Sequence, residues 1–204
     1  MFRERIAQLI NNEPDLELAG EAENADDALR VIRETAPDLV LVDLTLQDSS
    51  GLVLIKTMRG MGIEAPVLVL SMHEESLYAE RAIRAGARGY ITKHRAASEV
   101  VSAIRHVLDG EVFLSSKATS ELLRTIARSP RTATPQRSVA RLTDREMEVL
   151  QLIGKGHATR EIAQILDLGI ASVDTYRARI KEKMNLRNAF ELQGFAIRMM
   201  SQGE

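Results

Sequence analysis

The sequence predicts two domains of different class: a doubly wound α/β domain with a parallel sheet, followed by an all-α domain of four helices. Two observations support this reading. Short apolar runs alternate with amphipathic helical segments up to about residue 110, and helical spacing alone continues from Leu142 onward. Between them lies a basic, proline-containing stretch. A chain of 204 residues is long enough for two small domains.

Charge is distributed unevenly along the chain. Residues 1–114 carry 12 basic and 19 acidic side chains, a net charge of −7. Residues 115–137 have a net charge of +4, and residues 138–204 a net charge of +1. An acidic first half and a basic or neutral second half indicate different partners for the two halves.

Composition excludes several classes of function. The chain has no Cys, so it has no disulfide, no thiolate metal site and no cysteine nucleophile. No apolar run approaches the roughly 20 residues that cross a bilayer, and no secretory signal opens the chain. Aromatic residues make up only 3%, which argues against a stacking platform for single-stranded nucleic acid. We expect a cytoplasmic protein without a membrane partner.

In the first domain the pattern predicts alternating helices and strands. The predicted helices cover residues 2–10, 24–35, 51–59, 75–85 and 97–108. The predicted strands cover residues 16–19, 39–42, 66–70 and 89–93. Asn24 is a predicted helix cap, and Gly86 and Gly110 are predicted helix ends. This order gives parallel strands joined by right-handed crossovers.

Asp43 directly follows the apolar run 39–42, which reads as a strand buried on both faces. A carboxylate at the end of a parallel strand lies at the carboxyl edge of the sheet, where open α/β sheets keep their sites. The alternative is an Asp that only starts a turn or caps the next helix.

The stretch 115–138 begins as a helix, 117–127, and continues through two prolines and small polar residues, which are typical of a linker. We therefore predict a first domain over 1–114, a linker with a helical start over 115–138, and a second domain over 139–204. In the second domain, Thr143 and Glu146 form a predicted capping box. Two short helices joined by a tight turn follow, the pattern of a helix-turn-helix.

The second domain resembles the LuxR-type helix-turn-helix over nearly all of residues 141–200. The matching positions are Leu142-Thr-Asp-Arg-Glu-Met-Glu-Val-Leu, Gly156, Arg160-Glu-Ile-Ala163, Leu166, Val173, Ile180 and Lys183-Met. The resemblance implies that the helix 171–184 enters the major groove of double-stranded DNA. Asp174, Thr175 and Ala178 would then face base edges. Arg160, Arg177, Arg179 and Lys181 would contact phosphates or the groove rim. The resemblance also implies a homodimer on an inverted repeat, with 189–200 as the dimer helix. The apolar residues of this helix could equally belong to the core of the domain.

The first domain resembles the receiver domain of two-component response regulators of the NarL/FixJ subfamily, which has a flavodoxin-like fold. By position, Asp43 would be the phosphoacceptor, and Lys93 stands where the family pattern has its lysine. Ser71 would be the switch hydroxyl and Tyr90 the switch aromatic residue. An aspartyl carboxylate can form an acyl phosphate, and Lys93 and Ser71 would neutralise and bind the phosphoryl oxygens. Tyr90 would then move into the space that Ser71 vacates.

One part of the receiver pattern is missing. Receivers carry an acidic pair at the end of a first strand, which holds Mg²⁺ together with the phosphoacceptor, and here Met1 falls where the family enters its first helix. Asp43 and the carbonyl of Thr45 would be an incomplete Mg²⁺ ligand set. A gap of roughly 10 Å, two strand spacings, would separate the strand 16–19 from the Asp43 strand. We expect that about a dozen residues are missing before Met1; a degenerate receiver is the alternative.

The sequence thus predicts a DNA-binding transcriptional response regulator, phosphorylated on Asp43 by a sensor histidine kinase with Mg²⁺. The alternative is a DNA-binding regulator whose receiver acts without phosphorylation, as a dimerisation or ligand-sensing module. A small phosphoryl-transfer enzyme is disfavoured because the chain has no nucleotide-binding glycine loop. We therefore expect a regulator and not an enzyme.

Overall fold

The computed structural model describes residues 2–46, 50–127 and 142–201. The chain divides into two compact units, with the boundary after Ala127. Gln47, where many receivers have Pro, and residues 128–138 of the predicted linker lie outside the described residues. None of the helices in the described ranges is long and apolar enough to cross a bilayer.

The first unit alternates helices with three strands. Its helices are α1 (Phe2–Asn11), α2 (Ala25–Thr35), α3 (Gly51–Gly60), α4 (Glu75–Ala85), α5 (Lys93–Leu108) and α6 (Ser116–Ala127). Its strands are β1 (Val40–Asp43), β2 (Val67–Ser71) and β3 (Gly89–Thr92). The predicted doubly wound α/β class is confirmed, and so is the helical start of the predicted linker.

The three strands form one parallel sheet in the order β1-β2-β3. Val40 pairs with Val67, and Leu68 pairs with Gly89, so the carboxyl ends of all three strands meet at one edge. Every residue of β2 is buried, as expected for a central strand. In β1 only Val42 is buried, so the prediction of a strand covered on both faces is wrong there. The reason is that β1 is the edge strand of the described sheet.

The predicted strand over 16–19 is also wrong, because these residues adopt no regular secondary structure. Leu16 and Leu18 still pack against the apolar core that α1 and α5 form with β2 and β3. A cavity of about 990 Å³ lies between this segment, α1, α2 and β1. It occupies the place where the sequence predicts a gap. No strand of the described residues lies beside this segment, so its backbone has no sheet partner there. An alternation of apolar and polar side chains does not by itself make a strand.

The residues predicted to begin and end helices do so at Asn24 and Gly86, whereas one helix, α5, begins earlier than predicted. Asn24 accepts a hydrogen bond from the Asp27 amide at 2.9 Å, which caps α2, and Gly86 ends α4 in the left-handed region at φ 116°. The shift is at α5, which begins at Lys93 and not at residue 97. Because the pairing of β3 ends at Thr92, Lys93 lies in the first turn of a helix at the carboxyl edge of the sheet.

The second unit is all-helical over its described residues. It consists of α7 (Asp144–Gly154), α8 (Thr159–Ile165), α9 (Ile170–Met184) and α10 (Ala189–Ser201). The predicted capping box is present: the Glu146 amide donates to Thr143 Oγ1 at 3.3 Å, and the Thr143 amide donates to Glu146 Oε2 at 2.6 Å. Helix α8 begins at Thr159, and Ala158 is its N-cap.

Candidate functional site

Asp43 and Lys93 meet at the carboxyl edge of the sheet. The Lys93 ammonium donates to Asp43 Oδ2, and the two residues are 50 positions apart in the chain. The other carboxylate oxygen, Oδ1, accepts the backbone N–H of Thr45 at 3.0 Å. The side chain of Asp43 remains 30% exposed, so its carboxylate can be reached from solvent. The reading of Asp43 as a mere turn or cap residue does not account for a lysine directed at it from another element.

Ser71 and Tyr90 both hold the loop that follows β2. Ser71 is fully buried, and its Oγ accepts the backbone N–H of His73 at 3.0 Å. The Tyr90 hydroxyl donates to the backbone carbonyl of the same residue, His73, also at 3.0 Å. Ser71 and Thr92 are paired in the sheet, which brings the end of β2 next to the end of β3. The two predicted switch residues, Ser71 and Tyr90, therefore both bind the backbone of His73.

Tyr90 is completely buried in this structure. Burial raises the pKa of its hydroxyl above the ordinary range, and a hydrogen bond with Ser71 offsets only part of this effect. The Tyr90 ring is thus buried while Ser71 still binds the His73 amide, and the movement of Tyr90 into space that Ser71 vacates stays a prediction. Any switching motion must start from this inward position.

The acidic groups needed for a complete metal site are not brought together. In the described ranges, no group of three or more His, Cys, Asp or Glu side chains is placed to hold a metal ion. Asp43 has both oxygens engaged, one by Lys93 and one by the Thr45 amide. The residues present therefore do not by themselves make a Mg²⁺ site, which requires near-octahedral oxygen ligands.

The predicted base-reading residues lie on the open face of α9. Asp174, Thr175 and Ala178 are all exposed, while Val173 and Ile180 on the opposite face are fully buried. The Thr175 hydroxyl donates to the Ala171 carbonyl at 2.9 Å, so its methyl group remains available on the surface. Thr175 and Ala178 have small side chains, which allows this face of the helix to approach base edges closely.

The predicted phosphate-binding cations surround that face. Arg160 on α8 and Arg179 on α9 are exposed, and Arg177 and Lys181 are half-buried along one flank of α9. None of these four side chains forms a salt bridge with a carboxylate of the described residues. Their charges are therefore available to an anion outside the protein.

Sequence reasoning missed three features of these sites. One is the His73 backbone, to which both switch residues bind. A second is the pair Ala171 and Glu182, exposed on the same face of α9; helical periodicity around Thr175 would have found them. The third is an ion pair inside the second unit: Lys183, at the end of α9, donates to Glu146 Oε2 at 2.7 Å.

This ion pair fixes the end of α9 against the start of α7. The Glu146 side chain is only 1% exposed, whereas that of Lys183 is 33% exposed. Burial would raise the pKa of Glu146, but the hydrogen bonds from Lys183 and Thr143 outweigh it and leave the pKa below its usual value. Glu146 therefore has two structural roles, as a capping residue of α7 and as an anchor for α9.

The first unit is a parallel α/β unit with an Asp–Lys pair at the carboxyl edge of its sheet. The second is a helix-turn-helix unit whose four predicted phosphate-binding cations form no salt bridge among the described residues. This combination is that of a response regulator. Residues 1–105 match the family described as response regulator receiver domain, and residues 140–196 match the bacterial regulatory proteins of the luxR family. The chain belongs to the luxR-family response regulators.

Curated relatives are similar over nearly their whole length. The transcription regulator BvgA of Bordetella pertussis is 32% identical over 192 residues, which cover 94% of this chain and 90% of that protein. The response regulator UvrY of Escherichia coli strain K12 is 30% identical over 198 residues, covering 97% and 89% of the two chains.

Solved structures agree on the fold. A LuxR-family two-component response regulator from Aurantimonas sp. SI85-9A1 is 35% identical, with a TM-score of 0.56 over 62% of this chain and 90% of that chain. The RcsB response regulator of Salmonella typhimurium is 20% identical, with a TM-score of 0.60 over 96% and 91% of the chains. The second likeness supports the fold alone.

These likenesses confirm the predicted family, the fold class and the function at the level of a DNA-binding transcriptional response regulator of a two-component system. The roles of individual residues and the boundaries 1–114, 115–138 and 139–204 stay predictions.

Proposed function

We propose that Asp43 is the phosphoacceptor through which a sensor histidine kinase controls DNA binding by this chain. The observation that carries the proposal is the contact between Asp43 and Lys93 at the carboxyl edge of the sheet. A partly exposed carboxylate can attack the phosphorus of a phosphohistidine. A bond forms between an Asp43 oxygen and phosphorus, and the nitrogen–phosphorus bond of the donor breaks.

Lys93 and Ser71 supply the chemistry around the phosphoryl group in this proposal. Phosphoryl transfer depends chiefly on neutralising the charge on the three phosphoryl oxygens. The Lys93 ammonium, already on the carboxylate, compensates that charge after transfer. The Ser71 hydroxyl turns from the His73 amide to donate to a phosphoryl oxygen, and Tyr90 keeps water from that side because it is fully buried.

Mg²⁺ is the cofactor that receivers use in general, and Asp43 with Thr45 is the only part of such a site that we assign. Since these residues do not form a sufficient ligand set, no step of the proposed mechanism depends on the metal. The incomplete ligand set is also the reason to keep the alternative function, in which the receiver acts without phosphorylation. A receiver that cannot take up phosphate would act as a dimerisation or ligand-sensing module.

The test is phosphate uptake from acetyl phosphate, with and without Mg²⁺, measured by intact-protein mass on the unmodified chain and on Asp43→Asn. We expect one phosphoryl group on the unmodified chain and none on the variant. Asp38→Asn, outside the strands and remote in sequence from Ser71 and Lys93, is the matched control and should still take up phosphate. Absence of uptake on the unmodified chain would favour the unphosphorylated alternative.

For the second unit, we propose that α9 enters the major groove. Asp174, Thr175 and Ala178 would read base edges, with Asp174 accepting from a cytosine amine. The cations Arg160, Arg177, Arg179 and Lys181 would bind phosphates and supply most of the affinity. The open face of α9 supports this assignment, and so do these four cations on α8 and α9, which form no salt bridge with a carboxylate in the described ranges.

We further propose a homodimer that binds an inverted repeat and acts in the cytoplasm, where its DNA is, as a regulator and not as an enzyme. Phe190 is 84% exposed on α10, and Ile197, two turns further along, is 47% exposed. Together they form an apolar stripe suited to a second copy of the helix. Phe190→Ser should weaken binding to a two-half-site duplex much more than binding to a single half-site, measured by fluorescence anisotropy.

A further inference from the structure

Glu75, at the first turn of α4, is a buried carboxylate that the proposed mechanism does not use. Only 8% of the residue is exposed. Its Oε1 accepts the backbone N–H of Ser115 at 2.8 Å, and its Oε2 lies 3.7 Å from the Arg95 guanidinium. Ser115 directly precedes α6 and caps it, since its hydroxyl accepts the Ala118 amide at 3.2 Å. One acidic side chain thus holds the start of α6 on α4.

The described side chains of α6 are mostly exposed. Of residues 116–124, only Ala118 is buried, and Leu123 is 59% exposed. Helices in proteins are stabilised mainly by packing of an apolar face, and a helix of this length is marginal without it. A hydrogen bond to a charged, buried acceptor contributes more than one between neutral groups. The Glu75–Ser115 hydrogen bond is therefore one of the contacts that fix the start of α6.

Glu75 is also connected to the candidate phosphoacceptor site. His73, two residues before it, is held by the Ser71 hydroxyl through its amide and by the Tyr90 hydroxyl through its carbonyl. The His73 ring stacks on Tyr78 of α4, with centroids 4.7 Å apart. The residue that precedes the start of α4 by two positions, His73, thus connects the Ser71 hydroxyl to a side chain of α4.

We propose that Glu75 is a clasp that fixes α6 while the Ser71 hydroxyl is bound to the His73 amide, and that release of this hydroxyl toward a phosphoryl group on Asp43 opens the clasp. When Ser71 leaves the His73 amide, the loop and the first turn of α4 shift, and the Glu75 carboxylate leaves the Ser115 amide. In the sequence, α6 is the helix that leads toward the helix-turn-helix unit. The phosphoryl-driven part rests on the proposed function of Asp43, whereas the clasp itself does not.

The clasp is tested by hydrogen–deuterium exchange of the α6 amides in the full chain. Glu75→Ala should raise their exchange rates about tenfold, the effect of losing one charge-assisted hydrogen bond. Glu75→Gln, whose amide oxygen still accepts but carries no charge, should restore part of the protection. The matched control is Glu74→Ala, which removes the same charge from an exposed neighbour that makes no capping bond. Equal exchange in Glu75→Ala and Glu74→Ala would overturn the clasp.

The coupling to the site is tested in two further arms. Ser71→Ala removes the acceptor of the His73 amide without any phosphate, and it should speed α6 exchange in the otherwise unchanged chain. Acetyl phosphate should do the same in the unmodified chain but add nothing in Glu75→Ala. Unchanged α6 exchange in Ser71→Ala would overturn the coupling whatever the fate of Asp43. If no phosphate is taken up while Ser71→Ala behaves as expected, only the proposed role of Asp43 fails.

Discussion

Replacing Glu146 by Gln should loosen the helix-turn-helix unit, because this one carboxylate joins α7 to the end of α9. It accepts the Thr143 amide at 2.6 Å and the Lys183 ammonium at 2.7 Å, and its side chain is 1% exposed. Gln keeps the shape but removes the charge that makes both bonds strong. The Lys183 ammonium then loses its partner, although its 33% exposure lets water replace part of the contact.

The expected cost is about 2 kcal/mol of local stability, from one charge-assisted hydrogen bond lost and a second weakened. That corresponds to roughly a thirtyfold rise in the opening constant of this unit. Lys183→Met keeps the aliphatic stem and should cost about 1 kcal/mol, since one exposed end of the ion pair is lost. The double variant should cost less than the sum of the two, because both single variants break the same contact.

The effect should depend on pH with a defined sign. The pKa of Glu146 is lower in the folded unit than its ordinary value of 4.5. The stabilisation is therefore fully present above about pH 4.5, and it disappears as pH falls through the folded pKa. The difference in stability between the unmodified chain and Glu146→Gln should be constant from pH 7 to pH 5 and shrink below that.

The assay is amide exchange of the α7 and α9 segments, which reports on this unit separately from the first. Glu182→Gln is the matched control, since it removes a carboxylate from an exposed position of α9, and it should leave exchange unchanged. The reasoning is refuted if Glu146→Gln and Glu182→Gln give the same exchange, or if the effect of Glu146→Gln persists unchanged below pH 4.

Two further predictions concern the two candidate sites. In Gly51→Ala the new Cβ would lie 2.2 Å from the backbone carbonyl oxygen of Asp43. We therefore expect the free energy of unfolding of the first unit, measured by calorimetry, to fall by about 2 kcal/mol or more. Gly60→Ala is the control, because its new Cβ would have no atom within 4 Å, and it should be neutral or slightly stabilising. Arg179→Ala should lower the slope of log K against log salt for DNA binding by about 1. Arg30→Ala, which removes a surface cation paired with Asp27 and Glu34 on α2, should leave that slope unchanged; an equal change in both would argue against a phosphate contact by Arg179.

Much of the fold was predictable because its signals are local. The alternation of apolar runs and amphipathic segments gave the helix and strand order, and the box of Thr143 and Glu146 marked the start of α7. The absence of a strand over 16–19 was not predictable from these residues alone. Strand formation needs a neighbour for the backbone, and the neighbouring position is a cavity of about 990 Å³. The same cavity explains why β1 is only half covered.

The sequence by itself determined the residue types of the site: a carboxylate after one strand, a hydroxyl after the next and a lysine after the third, with a helix-turn-helix to follow. Only the tertiary structure decided what these groups contact. It directs Lys93 at Asp43, binds Ser71 and Tyr90 to the backbone of one residue, His73, and pairs Lys183 with the capping Glu146. The physical reason is that hydrogen bonds and ion pairs require distances of about 3 Å. Residues far apart in sequence reach such distances only through packing of the elements that carry them.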